Sequence, residues 1–480
     1  MLLSNIIDLI CPKKIKFYEK NKNVEYITAN SKLVKKNSIY IADFKKKIKN
    51  TYFKEAINNG AVAILTNKTI SNLKIPQLIV ENLQTAINLI LHSLKPFPPN
   101  NIIGITGTNG KTSVVWLISS ILKLSKLNVK SIGTLGYYKN LKKINDVFLT
   151  TPEKEELYQM SHSPSLEKSE FIFEVSSHGI SKKRINNLPI NIAGITNISQ
   201  DHLDYHKTFK NYKKTKFKIF LKNLSKQGTA ILNDNIKGIS YIKNKLKKNN
   251  VKIITYGTKK SDINCISLKN RIKIKIYSSF HSIKFYSTTN FEIENLLCSI
   301  CCCLAAGITI KQIVSSISKI TPVEGRMQLV NRLYNKAKVI VDYAHTPDAL
   351  KNVLVSNYYN LKKPNLVFGC GGNRDRKKRV KMGRIACKYA NNIYITDDNP
   401  RNENPDNIRK SIHAGCIRAF NIGNRRVAIQ RAIENLNSKE ILIIAGKGHE
   451  KKQIIKNIIN DFNDVKVANY YINKRNRNKK

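Results

Sequence analysis

The chain has 480 residues, enough for about three domains of ordinary size, each with its own core, so a peptide-sized scaffold is excluded. Lys and Arg total 84 against 32 Asp and Glu, a formal charge of +52, which favours phosphate, nucleic acid or anionic lipid as partners. The basic residues are spread through nearly every segment rather than gathered into one stripe. They therefore read as solvated surface with a share in attracting anionic substrates, and nucleic-acid binding ranks last.

The chain opens MLLSNIIDLICPKK, with no basic start and no cleavage motif, and no apolar run reaches the roughly 18 residues that span a bilayer. The nine cysteines show no framework spacing, and unpaired thiols fit a reducing compartment. A soluble, cytoplasmic monomer without nucleic acid or membrane partners is the expectation.

Residues 1 to 98 alternate β-rich runs (Ser38–Ala42, Ala61–Thr66, Gln77–Val80) with helical ones (Tyr52–Asn59, Leu83–Leu94), which predicts a small α/β domain. Lys95-Pro-Phe-Pro-Pro-Asn100 then interrupts regular structure, with prolines at 96, 98 and 99, and marks a linker. A second domain, 99–322, begins with the strand-like Ile102 and Ile103 and the loop GITGTNGKT, Gly104 to Thr112, followed by helical apolar spacing over Val114–Leu124.

A glycine loop between a strand and a helix N-terminus is a phosphate cradle. Gly107 and Gly110 let backbone N–H groups turn toward an anion, Lys111 reaches the outer phosphates and Thr112 offers a hydroxyl to Mg²⁺. Ile105 stands where the strict nucleotide-loop pattern has glycine, which points away from common nucleotide hydrolases.

Further strands are predicted at Phe171–Val175, Ala193–Asn197 and Thr229–Asn233, then a lysine-rich, strand-forming insert over Val251–Tyr286. Cys298-x-x-Cys301 with Cys302 and Cys303 has the look of half a metal knuckle or of a redox pair. It lies in the helix-like run Leu296–Ile308 without a second pair at ligand spacing, so these thiols read as small core side chains.

The last domain, 323–480, is the most regular. Four apolar strands, Val339–Val341, Leu366–Phe368, Ile393–Ile395 and Ile441–Ile444, are separated by helix-length segments, as in a parallel doubly wound sheet. Each ends in a glycine- or charge-rich cluster, and ligands of such sheets sit at the carboxyl ends of the strands. The four clusters therefore describe one cleft. The tail Asn473–Lys480 is basic and reads as disordered.

Two clusters in the second domain carry chemistry of their own. Glu174 closes an apolar strand in FEVSSHG, as an acidic residue does when it holds Mg²⁺ against phosphates. Asn197 to His206 packs two His and two Asp into ten residues, a density that favours metal or substrate over a polar turn. Asn233 and Asn295 are candidates for the adenine.

The motifs GITGTNGKT, EVSSHG, ITNISQDHLDYH, EGRM, VDYAHTP, FGCGGNRD, TDDNPR and AGKGHE, in that order, resemble the Mur ligases of bacterial cell-wall synthesis. The resemblance covers almost the whole chain. It implies three α/β domains, a central P-loop-type ATP-binding domain and a C-terminal Rossmann-like doubly wound domain. It also implies a reaction in which ATP phosphorylates a carboxylate and an amine attacks the acyl phosphate, here joining meso-2,6-diaminopimelate to UDP-N-acetylmuramoyl-L-alanyl-D-glutamate.

By that resemblance Lys111, Glu174, His202 and Lys216 are catalytic. ATP is bound by Gly104, Ile105, Thr106, Gly107, Thr108, Asn109, Gly110, Lys111 and Thr112, with Asn295, Arg326 and Asp342. Magnesium is held by Thr112, Glu174, His202 and a carbamylated Lys216. The sequence alone does not separate Lys216 from Lys213, Lys214 or Lys218; the register comes from the family.

The nucleotide-sugar peptide falls to Ser31, Thr150, Thr151, Ser176, Lys182 and Arg184. The diaminopimelate falls to Arg374, Asp398, Asn399, Pro400, Arg401, Gly446 and Glu450. An arginine at 401 can pair bidentately with the distal carboxylate that diaminopimelate has and lysine lacks. The chain departs from the family pattern at Lys182, usually Gln; at Asn30-Ser31-Lys32, usually Asp-Ser-Arg; and at Lys45–Thr51, which replaces a Gly-His-Gln-rich turn.

Overall fold

The computed structural model describes all residues except 18–21, 46–47, 187, 268–271, 286–288, 359–361 and 479–480. Parts of the lysine-rich turn at 45–51, of the insert at 251–286 and the last two tail residues thus lie outside the described residues; the tail expected to be disordered instead continues the helix Asp464–Arg477. The chain divides into two compact units, one of Met1–Gly104, Lys126–Ile192 and Lys222–Gly228, the other of Ile105–Ser125, Ala193–Leu221 and Thr229–Lys480.

In the first unit, five strands pair in the order 14–16, 77–79, 61–66, 38–42, 26–28. The first pairing is antiparallel and the rest are parallel. Side chains alternate between the faces of a strand, and both faces of this sheet are covered. Ile39, Ile41 and Leu65 pack with Leu3, Ile6, Ile87 and Ile90 on one side. Tyr40, Ala42 and Ile64 pack with Phe53 and Ala56 on the other.

The helix Leu83–Leu94 and the strand Ala61–Thr66 have the bounds expected from the sequence. The helix Leu3–Ile10 and the strands Lys14–Lys16 and Tyr26–Thr28 were not foreseen. The proline-rich 95–100 segment forms no regular element, as expected, but it is tied down: Phe97 and Ser163 exchange backbone hydrogen bonds, and Asn100 N–H donates to Ser169 O. The unit also holds Val129–Gly133, parallel to Glu170–Glu174 and antiparallel to Gly136–Lys139.

In the second unit the phosphate-loop helix Lys111–Leu124 packs against the cysteine-bearing helix Asn290–Ala305. Cys298, Cys301, Cys302 and Cys303 are fully buried there, which is the core role read from the sequence. The Cys302 and Cys298 sulfurs lie against Gly194. The 251–286 insert supplies strands at 252–256, 263–267, 272–276 and 279–283, the last three antiparallel.

The same unit carries a six-stranded sheet in the order 328–332, 338–342, 441–445, 365–368, 393–395, 420–421. Only the first pairing is antiparallel. Alternation again decides the layers. Leu366, Phe368, Ile393 and Ile395 pack with Leu350 and Met382, whereas Val339, Val341, Val367 and Tyr394 pack with Ile429, Ile433 and Val467. Helices therefore cover both faces of a mostly parallel sheet, the doubly wound arrangement expected, and its carboxyl ends are left to the four polar clusters.

Candidate active site

The residues singled out in the sequence divide between the two units. Ser31, Gly104, Thr150, Thr151, Glu174, Ser176, Lys182 and Arg184 belong to the first; the remainder belong to the second.

The second unit contains the phosphate loop from Ile105 onward. Gly107 has φ +146° and Gly110 has φ +86°. A Cβ at Gly107 would stand 1.9 Å from Thr196 Oγ1, and one at Gly110 would stand 2.2 Å from Asn295 Oδ1. Only glycine fits either place. Asn295 thus lies against the loop itself. Thr108 N–H donates to Asn197 O, Asn109 N–H to Asn197 Oδ1, and Thr196 Oγ1 to Asn109 O.

Lys111 Nζ donates to the carbonyl oxygens of Gly107 and Thr108 at 2.9 and 2.8 Å, curling over the loop. Arg326 Nη2 donates to Thr112 Oγ1 at 3.1 Å, and its guanidinium stacks 4.3 Å above the Tyr343 ring. Asp342 accepts from Met327 N–H and Ala344 N–H, and burial pushes its carboxyl above the usual range. The EGRM and VDYAHTP motifs are thereby brought to the loop's hydroxyl end.

Lys216 is 1% exposed. Its ammonium donates to Gly107 O at 2.7 Å and lies 4.7 Å from the centre of the Tyr212 ring. Burial, then the neighbouring Lys111, holds its pKa well below the usual lysine range, with Asp201 opposing. Tyr212 in turn shares a 2.9 Å hydrogen bond with Thr108 Oγ1. His202 has the left-handed φ of +51° and lies 3.3 Å from Asp201 Oδ2 through Nε2. Burial alone would raise Asp201, but His202, His345 and Lys378 together hold it below the usual carboxylate range.

At the carboxyl ends of the six-stranded sheet the remaining clusters meet. Arg401, at φ +52°, donates through Nη1 to Gly372 O at 2.9 Å. Burial and then Arg374 lower its pKa, with Asp398 and Glu450 opposing. Asn399 Nδ2 donates to Glu450 Oε2 at 2.8 Å. A Cβ on Gly446, φ +113°, would stand 2.8 Å from Asp398 Oδ2. Arg374 donates to the carbonyl of its neighbour Asn373. Pro400 is buried, and its carbonyl lies against Gly372. Two arginines, two carboxylates and an amide so lie together at the strand ends.

In the first unit, Glu174 accepts from Thr134 N–H at 2.7 Å and Thr134 Oγ1 at 3.2 Å. Thr151 Oγ1 accepts from Ser176 N–H and donates to Glu174 O, and Thr150 Oγ1 shares a 3.3 Å hydrogen bond with Thr134. Arg184 donates to Thr151 O and pairs with Glu153 at 3.0 Å. A cavity of about 990 Å³ has Ser31, Lys182 and Arg184 in its walls, with Lys32, Lys35, Lys45 and Lys154. Gly104, by contrast, packs its Cα against Val175, Ile190 and Phe173 in the core.

Sequence reasoning missed three groups here, Tyr212, Lys447 and Glu156, which line or support these sites; Asp201 belongs to the Asn197–His206 cluster that the sequence marks for metal or substrate. Lys447 lies inside a quoted motif, AGKGHE; a lysine between two glycines at a strand end was the available signal. Glu156, in the cavity wall, is pushed up to about 7 by burial, with Thr28 as a hydrogen-bond partner. Among the described residues no group of three or more His, Cys, Asp or Glu side chains is arranged to hold a metal ion.

The Mur ligase middle-domain profile matches residues 105–303, and the Mur ligase glutamate-ligase-domain profile matches 325–448. The UDP-N-acetylmuramoyl-L-alanyl-D-glutamate–2,6-diaminopimelate ligase of Rickettsia typhi is 37% identical over 471 residues, covering 94% of each chain. That of Rickettsia conorii is 38% identical over 463 residues, covering 93% of this chain and 95% of its own. A solved structure of a ligase of the same name superposes with TM-score 0.61 at 28% identity, over 94% of this chain and 95% of the other. The ADP complex of the MurF ligase from Thermotoga maritima has TM-score 0.69 at 15% identity and shares the fold, over 96% of this chain and 100% of the other. With both family profiles matched over 105–303 and 325–448 and relatives 37–38% identical over more than nine-tenths of its length, the chain belongs to the Mur ligase family.

Proposed function

We propose that this chain joins meso-2,6-diaminopimelate to UDP-N-acetylmuramoyl-L-alanyl-D-glutamate at the expense of ATP, in the cytoplasm, as a monomer. The observation that carries the reading is the pocket of Arg374, Asp398, Asn399, Arg401, Gly446 and Glu450 at the sheet's carboxyl ends. Diaminopimelate is a double zwitterion, so its recognition needs a guanidinium for the distal carboxylate and carboxylates for an ammonium. The cluster brings both signs together, with Asp398 and Glu450 acting electrostatically on Arg401 and Asn399 hydrogen-bonded to Glu450. The relatives named for the same substrate support it.

The loop from Gly104 to Thr112 is the proposed phosphate cradle, with Arg326, Asp342 and Asn295 about the nucleotide. Gly107 and Gly110 lie too close to Thr196 and Asn295 to carry a side chain, and their positive φ lets backbone N–H groups of the loop turn toward an anion. Lys111 is proposed to turn from its two carbonyl partners to the outer phosphates. Thr112 and Glu174 are proposed magnesium ligands, as are His202 and a carbamylated Lys216. When bound, the metal neutralises charge among the triphosphate, the substrate carboxylate and the anionic tetrahedral intermediate.

Lys216 fits its assignment by protonation state. Carbon dioxide adds only to a neutral amine, and burial beside Lys111 drives this amine toward neutrality. The carbamate then carries the negative charge that Lys111 and a cation favour.

In the first unit Ser31, Lys182 and Arg184 are proposed to hold the nucleotide-sugar peptide in the cavity whose walls they share with both lysines and carboxylates, with Thr150, Thr151 and Ser176 proposed to contact the same substrate. Domain limits at 98 and 322 are proposed on the proline-rich segment and on the start of the EGRM motif. Among the described residues no helix is long and apolar enough to cross a membrane. The substrates are small molecules, and neither nucleic acid nor membrane is invoked.

The test is direct. Purified protein is given ATP, Mg²⁺ and UDP-N-acetylmuramoyl-L-alanyl-D-glutamate with diaminopimelate, lysine, D-glutamate or D-alanyl-D-alanine, and phosphate release and product mass are measured. Product with diaminopimelate and not with lysine is expected; the reverse preference overturns the reading.

A further inference from the structure

Lys447 is 0% exposed, held between Gly446 and Gly448, both at positive φ. An ammonium is costly to bury unless every N–H is used. Here all three are: Nζ donates to Lys452 O at 2.7 Å, Glu450 Oε2 at 3.1 Å and Asn399 Oδ1 at 3.4 Å. These acceptors belong to three separate segments, namely the 446–450 loop, the 397–401 loop and the hairpin that begins at Lys452.

The hairpin is laced to the 397–401 loop independently. Ile454 N–H donates to Asn399 Oδ1, Gln453 Nε2 to Asp398 O, Arg401 N–H to Ile454 O and Lys456 N–H to Arg401 O. Lys447 therefore stands at the junction that fixes where Asn399 and Arg401 lie. With Asn399 Oδ1 engaged by Lys447 and Ile454, its amide N–H₂ is directed to Glu450.

Both contacts to the Glu450 carboxylate fall on Oε2. Oε1 accepts no hydrogen bond among the described residues, and the side chain is 30% exposed. One oxygen is thus clamped from the protein side, and the other is left for an incoming donor.

We propose that Lys447 is a positioning residue for the amine substrate, holding Glu450 ionised and oriented, and Asn399 beside it, to receive that substrate's ammonium group. The proposal rests on reading this pocket as the diaminopimelate site.

The charges around Glu450 give it a distinctive signature. Asp398 faces it with like sign, and Lys447, Arg401 and Arg425 with opposite sign. Burial and Asp398 push the Glu450 carboxyl above the usual range; Lys447 and Asn399 oppose that rise. Without the Lys447 charge, Glu450 protonates at higher pH, and a protonated carboxyl no longer attracts an ammonium.

The experiment compares the natural protein, Lys447→Gln, Glu450→Gln and the double variant, measuring KM for diaminopimelate and for ATP across a pH series. Lys447→Gln is expected to raise the diaminopimelate KM on the order of tenfold to a hundredfold, to leave the ATP KM within about twofold, and to move the acid-side rise in the diaminopimelate KM to higher pH. In the Glu450→Gln background the same substitution adds no more than about twofold.

Effects that multiply, or a pH profile that stays in place, overturn the proposal and leave Lys447 a structural cation. Lys447→Arg keeps the charge and is expected to keep the acid-side rise where the natural protein has it. A displaced rise in that variant overturns the proposal even where Lys447→Gln is insoluble. A natural protein that uses another amine overturns the substrate reading alone, and the comparison is then read with that amine.

Discussion

Lys216 Nζ donates to the carbonyl oxygen of Gly107 at 2.7 Å, although 109 residues separate the two in sequence. A buried lysine and the first flexible glycine of the phosphate loop are thereby one unit. The contact places the lysine proposed to carry the carbamate against the loop proposed to hold the triphosphate.

Lys216→Ala is expected to lower kcat by about a thousandfold or more, as removal of preorganised charge at a transition state does. High bicarbonate does not restore it; a short carboxylate added to the assay restores part of it. Carbon-13 bicarbonate supplies a second readout, a carbamate carbonyl signal in the natural protein that the variant lacks. Full activity in Lys216→Ala would refute the assignment.

Arg401 adopts a left-handed backbone, φ +52°, and hydrogen-bonds Gly372 O across the strand ends. Its lowered pKa, from burial and from Arg374, shows a guanidinium that a carboxylate would stabilise. Arg401→Ala is expected to raise the diaminopimelate KM by about thirtyfold, equivalent to the roughly 2 kcal/mol of a charged hydrogen bond. ATP affinity, measured by calorimetry, stays within about twofold. An unchanged diaminopimelate KM removes Arg401 from the pocket.

Much of this was legible in the sequence because it is local. The helix Leu83–Leu94 and the strand Ala61–Thr66 follow from apolar periodicity, and the GKT of the loop from the chemistry of phosphate binding. The strands 14–16 and 26–28 are three residues each, too short for any period to emerge, and no residue of KIK is buried. The proline-rich 95–100 segment reads correctly as irregular, yet the Phe97 to Ser163 pairing that anchors it is 66 positions away.

The larger gap concerns buried charge. Lysine is ordinarily a surface residue, and in a chain with 84 basic residues nothing local marks Lys216 as interior, while Lys447 has only its two flanking glycines to single it out. Arg425 and Asp464, 39 positions apart, form a fully buried pair, and Arg425 also donates to Ala445 O just before Gly446. Such pairs are set by tertiary distance, which composition and spacing do not encode.

Gly107→Ala tests the cradle's geometry rather than its charge. The added Cβ would stand 1.9 Å from Thr196 Oγ1, whose own hydrogen bond to Asn109 O at 2.6 Å holds the loop closed. The φ of +146° strains any side chain there as well. A loss of about 2–4 kcal/mol of stability, seen as a lower Tm, is expected together with loss of ATP binding. Gly307→Ala, also at positive φ but with open space about it, costs only about 1 kcal/mol and keeps ATP binding. Equal effects from the two would mean that backbone strain, not the clash in the loop, is what matters.

Glu156 gives a prediction about pH. Burial, with Glu153 and Glu155 close by, lifts its carboxyl from the ordinary 4.5 to about 7, against the hydrogen bond from Thr28. Between about 4.5 and 7 the folded state then holds a proton that the unfolded chain has lost, so stability from this group is full at low pH and falls as pH rises toward 7. A shift of that size corresponds to about 3 kcal/mol at most. Glu156→Gln keeps an acceptor for Thr28 and has no charge to desolvate. The variant is therefore expected to match the natural protein near pH 4.5 and to exceed it in denaturant stability by up to that amount above pH 7. His162 and His345, held down to about 4, act in the opposite sense in both proteins and cancel in the difference. A difference between variant and natural protein that does not grow from acid to neutral pH would place the Glu156 carboxylate in water rather than in the wall of the cavity.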